Sequence, residues 1–300
     1  MQSVTVRAPA KINIALTVGP LRPDGYHQLA TVYQAIGLYD DIKVRPADDG
    51  ISVSVIGEPV GPIPTDGSNL AVRAAKLLAE FTGIDEGVSL ALRKRIPVAG
   101  GMAGGSSDAA ATLVACDALW QTEVRRSDLL RLAAALGSDV LFCLLGGTAI
   151  GAGRGENISP ALVLGEYHWV VAIADRGLST PEVFQELDRI RTKQRVGEPG
   201  VPDAVLSALR AGNAVRLGNA LTNDLQPAAL RLRPELAAVL DSADEADPLG
   251  SLISGAGPTC LFLAGDDQHA REIADVVEES GLVREVAVAS GPVHGARIVG

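Results

Sequence analysis

A glycine-rich segment in the first half of the chain has the composition of a loop that holds phosphate. The segment reads PVAGGMAGGSSDAAATL, Pro97 to Leu113, and four of the six residues from Gly100 to Gly105 are glycine. Glycine lets the backbone approach a ligand closely, and the helix predicted directly after the loop points unpaired N–H groups towards it. Ser106 and Ser107 add hydroxyl groups. The segment is neither a Walker A loop, since no lysine follows the last glycine, nor a G-x-G-x-x-G dinucleotide motif. A flexible turn is the alternative.

Two isolated charged residues lie among apolar neighbours. Asp139 stands between apolar stretches in AALGSDVLFCLLGG, and Lys11 is the lone cation of the strand-like segment APAKINIAL. A buried carboxylate without a partner is costly, so such a residue calls for an explanation. A helix-cap aspartate and an edge-strand lysine are the structural alternatives. Both residues are candidates for catalysis.

Two further glycine-containing loops could bind a ligand, one through its side chains and the other through its backbone. In DGYHQL, the adjacent Tyr26 and His27 offer a stacking face and a hydrogen-bonding edge. An aromatic loop residue that packs beneath the core explains the same pattern. In LISGAGPTCLF, Gly255 and Gly257 allow close backbone approach, and a tight hairpin explains them nearly as well.

Strands and helices of the first half must position these residues. Alternating apolar residues predict strands at 12–18, 51–55 and 88–95. A helix is predicted from Ser68, its N-cap, to Gly83, and another over SSDAAATLVACDALW. A third helix is predicted with Ser127 as N-cap and Gly137 after its last turn.

The second half has a similar mixture. A strand is predicted from Trp169, a helix begins with Thr180 as cap and Pro181 in its first turn, and 192–202 is predicted as a long loop. Helices follow from about 203, then a strand, a glycine turn, a second strand, an amphipathic helix and VREVAVA as the final strand. Because a regular βαβ rhythm is absent, the sequence predicts an α+β fold in two lobes, 1–160 and 161–300.

Composition and charge exclude several classes of protein. The chain has 300 residues, of which 47% are hydrophobic and 21% charged, so wholesale disorder is excluded and about two domains are expected. The formal net charge of −10 argues against nucleic-acid or anionic-membrane binding. Most of that charge belongs to 241–285, whose net charge is −9, so the segments proposed to bind phosphate lie in a nearly neutral region.

The cysteines and the beginning of the chain indicate a cytoplasmic protein. Cys116, Cys143 and Cys260 are too far apart for a zinc knuckle and lie among apolar neighbours, which predicts buried thiols in a reducing compartment. The first residues lack the features of a signal peptide, and no apolar run reaches the length that a membrane span requires.

Taken together, these segments resemble the GHMP kinase superfamily. PAKINIAL, PVAGGMAGGSSDAA and SGAGPT occur in the order of its three motifs, and the resemblance extends over essentially the whole chain. RPDGYHQL, SNLAVRAA, LGSDV, STPEVF and TNDLQ are most similar to those members that phosphorylate a cytidine-diphosphate-linked methylerythritol in the non-mevalonate isoprenoid pathway. Met102, Ala103 and Leu141 replace the usual Leu, Gly and Pro, which leaves the detail of the loop open.

The resemblance implies a fold and a reaction. The N-terminal lobe would resemble domain 2 of ribosomal protein S5 and the C-terminal lobe would be ferredoxin-like. ATP would be the phosphoryl donor and Mg²⁺ its companion ion, with no protein ligand to the metal assigned. Asp139 would be the catalytic base and Lys11 its partner near the reacting hydroxyl. The expected partner is a small-molecule substrate, and no nucleic acid, membrane or obligatory protein partner is expected.

The resemblance also implies binding residues. Tyr26 and Phe184 would stack on the cytosine, His27 would hydrogen-bond its edge, and Asn13 and Thr180 would hold the substrate. The implied nucleotide-binding residues are Asn69, Lys94, Pro97, Gly100, Gly101, Met102, Ala103, Gly104, Gly105, Ser106 and Ser107. A homoserine or mevalonate-type GHMP kinase and a catalytically silent nucleotide-binding member are the alternatives.

Overall fold

The computed structural model describes residues 3–57, 62–98 and 100–300, which form two compact units. Unit 1 contains Met1–Lys11, Ala35–Gly147 and Val293–Gly300, and unit 2 contains Ile12–Gln34 and Thr148–Pro292. Each unit is therefore built from several stretches of chain, which differs from a single boundary near residue 160. The lobes 1–160 and 161–300 stay a prediction.

Long strands begin the chain and shorter ones follow. The strands are β1 (Val4–Leu21), β2 (His27–Ala47), β3 (Ile51–Ile56), β4 (Gly87–Arg93), β5 (Thr148–Gly153), β6 (Asn157–Pro160), β7 (Tyr167–Ile173), β8 (Thr222–Asn223), β9 (Gly250–Ile253), β10 (Thr259–Ala264), β11 (Glu285–Gly291) and β12 (Arg297–Ile298).

Helices occur in both units. They are α1 (Leu70–Thr82), α2 (Gly104–Trp120), α3 (Arg126–Leu136), α4 (Ser138–Leu145), α5 (Thr180–Arg191), α6 (Asp203–Ala211), α7 (Ala214–Gly218), α8 (Gln226–Leu232), α9 (Glu235–Asp241) and α10 (Asp267–Glu279), with a 3₁₀ turn at Asp244–Ala246. Strands and helices are mixed in both units, so the predicted α+β class is confirmed.

Unit 1 packs four helices, α1 to α4, on a mixed sheet. β1 pairs antiparallel with β12, β2 antiparallel with β4, and β4 parallel with β3. Leu78 of α1, Leu90 of β4 and Leu113 of α2 meet in one core that is closed to solvent. The many alanines of α2 let α1 and the strands approach it closely, so this helix is buried on most sides and its N-terminus is held in a fixed place.

Unit 2 is built on an antiparallel sheet of order β11-β7-β10-β9. Val170 of β7 and Phe262 of β10 pack against Val183 of α5 and Ile273 of α10 in a second core. The first part of β2 pairs antiparallel with β5, and the second part of β1 pairs parallel with β8. This packing fixes α5 beside the beginning of β2, where several candidate residues lie.

Several boundaries differ from those predicted. Asn69, not Ser68, caps α1, because its side-chain oxygen accepts the N–H of Ala71, whereas the Ser68 hydroxyl donates to Asp66. α3 begins one residue before Ser127, which lies in its first turn, and Thr180 is likewise the first residue of α5, after the cap position Ser179. VREVAVA is not the final strand, since β12 follows it.

Other predictions are confirmed. The segment 192–202 contains no helix or strand, and the glycine turn joins β9 to the antiparallel β10. All three cysteines are buried and free, and burial raises the pKa of Cys143 and of Cys260 to about 12. Among the described residues, no helix combines the length and the hydropathy that crossing a membrane requires.

Candidate active site

The glycine-rich loop of unit 1 ends in a helix whose first turn lacks a side-chain cap. Gly101 and Ala103 adopt positive φ angles of 73° and 61°, and α2 begins at Gly104. In contrast to α1, where Asn69 supplies a capping oxygen, no side chain in the described part of the chain accepts a hydrogen bond from the first N–H groups of α2. These N–H groups and the positive end of the helix dipole are therefore suited to an anion.

A cavity of about 260 Å³ opens above this loop, entirely within unit 1. Most of the predicted nucleotide-binding residues line it: Asn69, Lys94, Pro97, Gly100, Gly101, Met102, Ala103, Gly104 and Gly105. Ala99, which belongs to the same motif, lies outside the described residues. The structure thus brings together residues that are about thirty positions apart in the sequence.

Ser106 and Ser107 do not line this cavity. The Ser107 hydroxyl donates to the carbonyl oxygen of Pro9 at 2.6 Å and its side chain is fully buried. Ser107 therefore ties α2 to β1. A nucleotide contact through either serine stays a prediction.

Lys94 belongs to a buried cluster with two carboxylates that the sequence analysis did not single out. Its Nζ lies 2.6 Å from Oδ2 of Asp108 and also donates to Oδ2 of Asp40. Oδ1 of Asp40 accepts hydrogen bonds from the backbone N–H groups of Arg95 and Ile96, whereas Oδ1 of Asp108 has no hydrogen-bond partner among the residues that the structure describes. Asp108 could have been suspected from its sequence, because it is a lone carboxylate in a run of small apolar residues, as Asp139 is.

The charges of this cluster affect one another strongly. Burial raises the pKa of Asp108 to about 7, with Lys94 opposing the rise and Asp40 reinforcing it. Burial lowers the pKa of Lys94, but the two carboxylates outweigh it and raise the pKa above its usual value. Since two carboxylates share one ammonium, the positive charge of Lys94 is compensated within the cluster, and Lys94 does not line the cavity as an isolated cation.

Lys11 and Asp139 come together beside the same loop. Nζ of Lys11 lies 3.7 Å from Oδ1 of Asp139, and the backbone N–H of Lys11 donates to the carbonyl oxygen of Met102. Asp139 lies in the first turn of α4, where the helix dipole favours a negative charge. Its side chain is about a third exposed, whereas that of Lys11 is buried. A carboxylate open to solvent and a buried ammonium can orient and deprotonate a hydroxyl group.

A second cavity, of about 580 Å³, lies within unit 2. Tyr26, His27, Thr180 and Phe184, four of the predicted substrate-binding residues, line it. The rings of His27 and Phe184 stack with their centroids 5.1 Å apart and their planes 25° apart. The lining is largely apolar, with polar groups at a few places, as is usual for a site that binds a flat ring.

Two charged residues of this cavity were missed by the sequence analysis. The guanidinium carbon of Arg154 lies 3.9 Å from the centroid of the Tyr26 ring, and Arg154 donates to Asp24. Oδ1 of Asp188 lies 2.9 Å from Nε2 of His27. The partners are 130 and 161 residues apart in the sequence, so no local pattern connects them.

Asn13 does not line the second cavity. Its side-chain nitrogen donates to the Thr31 hydroxyl at 2.8 Å, and its backbone N–H donates to the Ser254 hydroxyl. Oδ1 of Asn13 lies close to Gly255, where a Cβ atom would come within 3.2 Å of it. The first and third sequence motifs therefore meet at Asn13, and its contact with the substrate stays a prediction.

The comparison with protein families decides the class. Residues 69–147 match the N-terminal domain of the GHMP kinases, and 205–282 match their C-terminal domain. A relative from Leifsonia xyli subsp. xyli, a 4-diphosphocytidyl-2-C-methyl-D-erythritol kinase, is 54% identical and covers 100% of this chain and 99% of its own. This chain belongs to the GHMP kinases. The predicted family and two-lobed fold are confirmed, and the protein is a kinase.

Further relatives of this GHMP kinase carry the same name. The 4-diphosphocytidyl-2-C-methyl-D-erythritol kinase of Thermobifida fusca is 55% identical, covering 99% of this chain and 98% of its own. A crystal structure of a 4-(cytidine 5'-diphospho)-2C-methyl-D-erythritol kinase superposes with a TM-score of 0.80 at 36% identity, covering 95% of this chain and 98% of that one. A crystal structure of a homoserine kinase from Cytophaga hutchinsonii has a TM-score of 0.78 at 19% identity and covers 100% of this chain and 98% of that one. At this identity the similarity shows a common fold alone.

Proposed function

We propose that this GHMP kinase transfers the γ-phosphoryl group of ATP to the 2-hydroxyl group of 4-diphosphocytidyl-2-C-methyl-D-erythritol. The observation that carries the proposal is the 54% identity over the full length of a relative with that activity in its name. The cavity of unit 2, in which His27 and Phe184 stack and Tyr26 and Thr180 complete the lining, supports it, because a cytosine ring needs aromatic faces and a polar edge. We infer that the product enters the non-mevalonate isoprenoid pathway.

In this proposal, ATP lies in the cavity above the glycine loop. The uncapped N–H groups at the start of α2 bind phosphate oxygens, and the small lining residues let the nucleotide come close to the backbone. Because phosphoryl transfer passes through a loose transition state, the enzyme acts mainly by alignment and by neutralising charge.

Mg²⁺ is proposed as the companion ion of ATP. Within the described ranges, no group of three or more His, Cys, Asp or Glu side chains could hold a metal by itself. In kinases, Mg²⁺ is commonly held by substrate phosphates together with one or two carboxylates and water. When bound, the ion neutralises charge on the phosphate oxygens.

Asp139 and Lys11 are proposed to act on the acceptor. The acceptor is a tertiary alcohol whose pKa is far above that of a carboxylic acid, so Asp139 first orients the hydroxyl group and then accepts its proton as the new P–O bond forms. Lys11, with its Nζ 3.7 Å from Asp139, places a positive charge beside the reacting oxygens.

The decisive experiment measures ADP release with Mg·ATP and one acceptor at a time. 4-Diphosphocytidyl-2-C-methyl-D-erythritol is expected to support turnover, whereas homoserine and mevalonate support none above the rate without acceptor. Turnover with homoserine or mevalonate alone would assign the chain to another GHMP activity. Absence of turnover with every acceptor, while ATP still binds, would favour a catalytically silent member.

A further inference from the structure

His27 is held on two sides by a single helix. Phe184 and Asp188 are four residues apart on α5 and therefore lie on the same face of that helix. Phe184 stacks on the imidazole ring, and Asp188 approaches Nε2 at 2.9 Å. The first contact fixes the plane of the ring and the second fixes its rotation within that plane.

The contact with Asp188 also determines which ring nitrogen carries a proton. An ionised carboxylate can only accept hydrogen bonds, so Nε2 of His27 must be the donor. In a neutral imidazole the other nitrogen, Nδ1, is then an acceptor. Among the described residues, none forms a hydrogen bond to Nδ1, so this nitrogen is left for a ligand of the cavity that His27 lines.

The two pyrimidine bases differ at the atom that such an acceptor would meet. Cytosine carries an exocyclic amine, a donor, at the position where uracil carries a carbonyl oxygen, an acceptor. A lone pair on Nδ1 attracts the amine and repels the carbonyl. The direction of the His27–Asp188 hydrogen bond is therefore sufficient to discriminate between the bases.

We propose that Asp188 is a specificity-determining positioning residue, which holds the proton of His27 on Nε2 and thereby presents Nδ1 to the amine of cytosine. The inference rests on the proposed function, since it assumes a cytidine-containing substrate. According to this inference, Asp188 determines the preference for cytosine over uracil. The stacking rings cannot discriminate between the two bases, because both bases have similar faces.

The test compares three variants with a cytidine and a uridine substrate. Asp188→Asn is the central variant, because an amide can donate to Nε2 or accept from it and so no longer fixes the proton. Asp188→Glu keeps an ionised acceptor. Glu182→Gln removes a carboxylate from the exposed side of the same helix without touching the cavity. Asp188 is itself 40% exposed, so its replacement is compatible with folding.

The measured quantity is the ratio of kcat/KM for 4-diphosphocytidyl-2-C-methyl-D-erythritol to that for its uridine analogue. Asp188→Asn is expected to lower this ratio about tenfold, because the loss of one correctly directed hydrogen bond has an effect of about that size. The change is expected in KM. Asp188→Glu should restore much of the ratio, and Glu182→Gln should leave it unchanged. If Asp188→Asn lowers both kcat/KM values by the same factor, the residue has only a structural role and the proposal fails.

A second measurement does not depend on turnover. Imidazole ¹⁵N chemical shifts, assigned by their loss in a His27→Gln variant, report which nitrogen of His27 is protonated. We expect Nε2–H in the free enzyme and a shift of Nδ1 on addition of cytidine monophosphate, but not of uridine monophosphate. Protonated Nδ1 in the free enzyme, or equal responses to both nucleotides, would overturn the inference. Wild-type turnover tests the proposed function separately.

Discussion

At the scale of single residues, the pair formed by Lys11 and Asp139 carries the proposed chemistry. The two residues are 128 positions apart, and the structure places Nζ and Oδ1 at 3.7 Å. Lys11 is fixed by the hydrogen bond of its backbone to Met102, so the ammonium and the glycine loop cannot move independently. Asp139 is fixed by the first turn of α4. The pair is thus positioned by backbone elements and not by its own weak ion pair.

Asp139→Asn is expected to abolish most of the turnover and leave ATP binding intact. The amide preserves shape but cannot accept the proton, and loss of a general base costs about 10²- to 10⁴-fold in rate. The measurements are kcat from ADP release and the Kd of ATP by calorimetry. Asp128→Asn is the matched control, since Asp128 lies in the first turn of α3 and outside the nucleotide cavity. A variant at Asp139 that kept most of its kcat would remove this residue from catalysis.

Tyr26→Ala is expected to weaken substrate binding selectively. The Tyr26 ring is 54% exposed, so its removal costs little stability, whereas stacking of a base on an aromatic ring contributes about 1–3 kcal/mol. KM for the cytidine substrate should rise roughly 10- to 100-fold and KM for ATP should change little. Tyr39→Ala is the control, because Tyr39 also lies beneath an arginine, Arg7, but lines neither cavity. Equal increases in both KM values would exclude Tyr26 from a cytosine site.

The candidate residues were predictable where a motif carries them, and their partners were not. Tyr26 and His27 are adjacent in the sequence, and Lys11 and Asp139 each interrupt an apolar run. By contrast, Asp188 lies on an amphipathic helix where a charged residue is ordinary, and only folding brings it to His27. Arg154 and Asp40 are similar cases. A contact between distant residues leaves no trace in the local pattern of either.

At the scale of elements, the glycine loop and α2 form one continuous structure. The backbone turns through positive φ at Gly101 and Ala103 and enters the helix at Gly104, where a Cβ would meet Ile96 and Lys94 at 3.3 Å. Gly105, one residue later, has open space around its missing Cβ and lines the cavity. The folded protein can therefore accommodate a side chain at position 105. We expect that such a side chain would instead collide with the bound nucleotide.

Gly105→Ala is expected to weaken ATP binding without lowering the stability of the fold. Alanine in a helix is favoured over glycine by up to about 1 kcal/mol, so the free energy of unfolding should not fall. The new methyl group extends into the cavity, and KM for ATP should rise roughly tenfold or more. Urea unfolding and steady-state kinetics give the two quantities. Gly200→Ala, a change into open space outside both cavities, should alter neither. If the KM of Gly105→Ala for ATP were unchanged, the phosphates of ATP would not bind beside Gly105.

The elements themselves were predicted where their periodicity is clear. Strands β3 and β4 and helices α1 and α10 follow their apolar patterns, and Gly83 ends α1 with a φ of 73° as expected. The long strand β2 was missed, because seven consecutive residues, Ala30 to Ile36, are buried and no alternation marks them. Polar residues in that run, Thr31 and Gln34, are buried because they form hydrogen bonds with other strands.

At the scale of the whole molecule, the net charge of −10 is compatible with anionic ligands because of its location. Much of it lies on the exposed face of α10, where Glu272, Asp275, Glu278 and Glu279 face solvent while Ile273 and Val277 pack into the core. The nucleotide cavity belongs to unit 1, and the acidic helix to unit 2. In the proposed function, phosphate is bound by the local N–H groups at the start of α2 with Lys11 beside the reacting oxygens, whereas the total charge favours solubility.

The buried cluster of Lys94, Asp40 and Asp108 is expected to make the stability of the whole protein depend on pH. Burial raises the pKa of Asp108 from 3.8 to about 7, so the folded protein binds a proton that the unfolded chain releases above about pH 4. The stabilisation from this proton is fully present below about pH 4 and is lost as the pH rises to 7. Three pKa units correspond to at most about 4 kcal/mol.

Asp108→Asn should remove this dependence, since an amide does not titrate. The free energy of unfolding is measured by urea at pH 5 and at pH 8, with the fluorescence of Trp120, which lies on the same helix, as the probe in a Trp169→Phe background. The wild type should lose at least about 1 kcal/mol more than the variant between the two pH values, because only the wild type gives up the buried proton. Asp85→Asn, at an exposed position, should behave as the wild type does. If wild type and Asp108→Asn lose the same stability between pH 5 and pH 8, the Asp108 carboxyl is ionised throughout, and Lys94 then holds two negative charges in the folded protein.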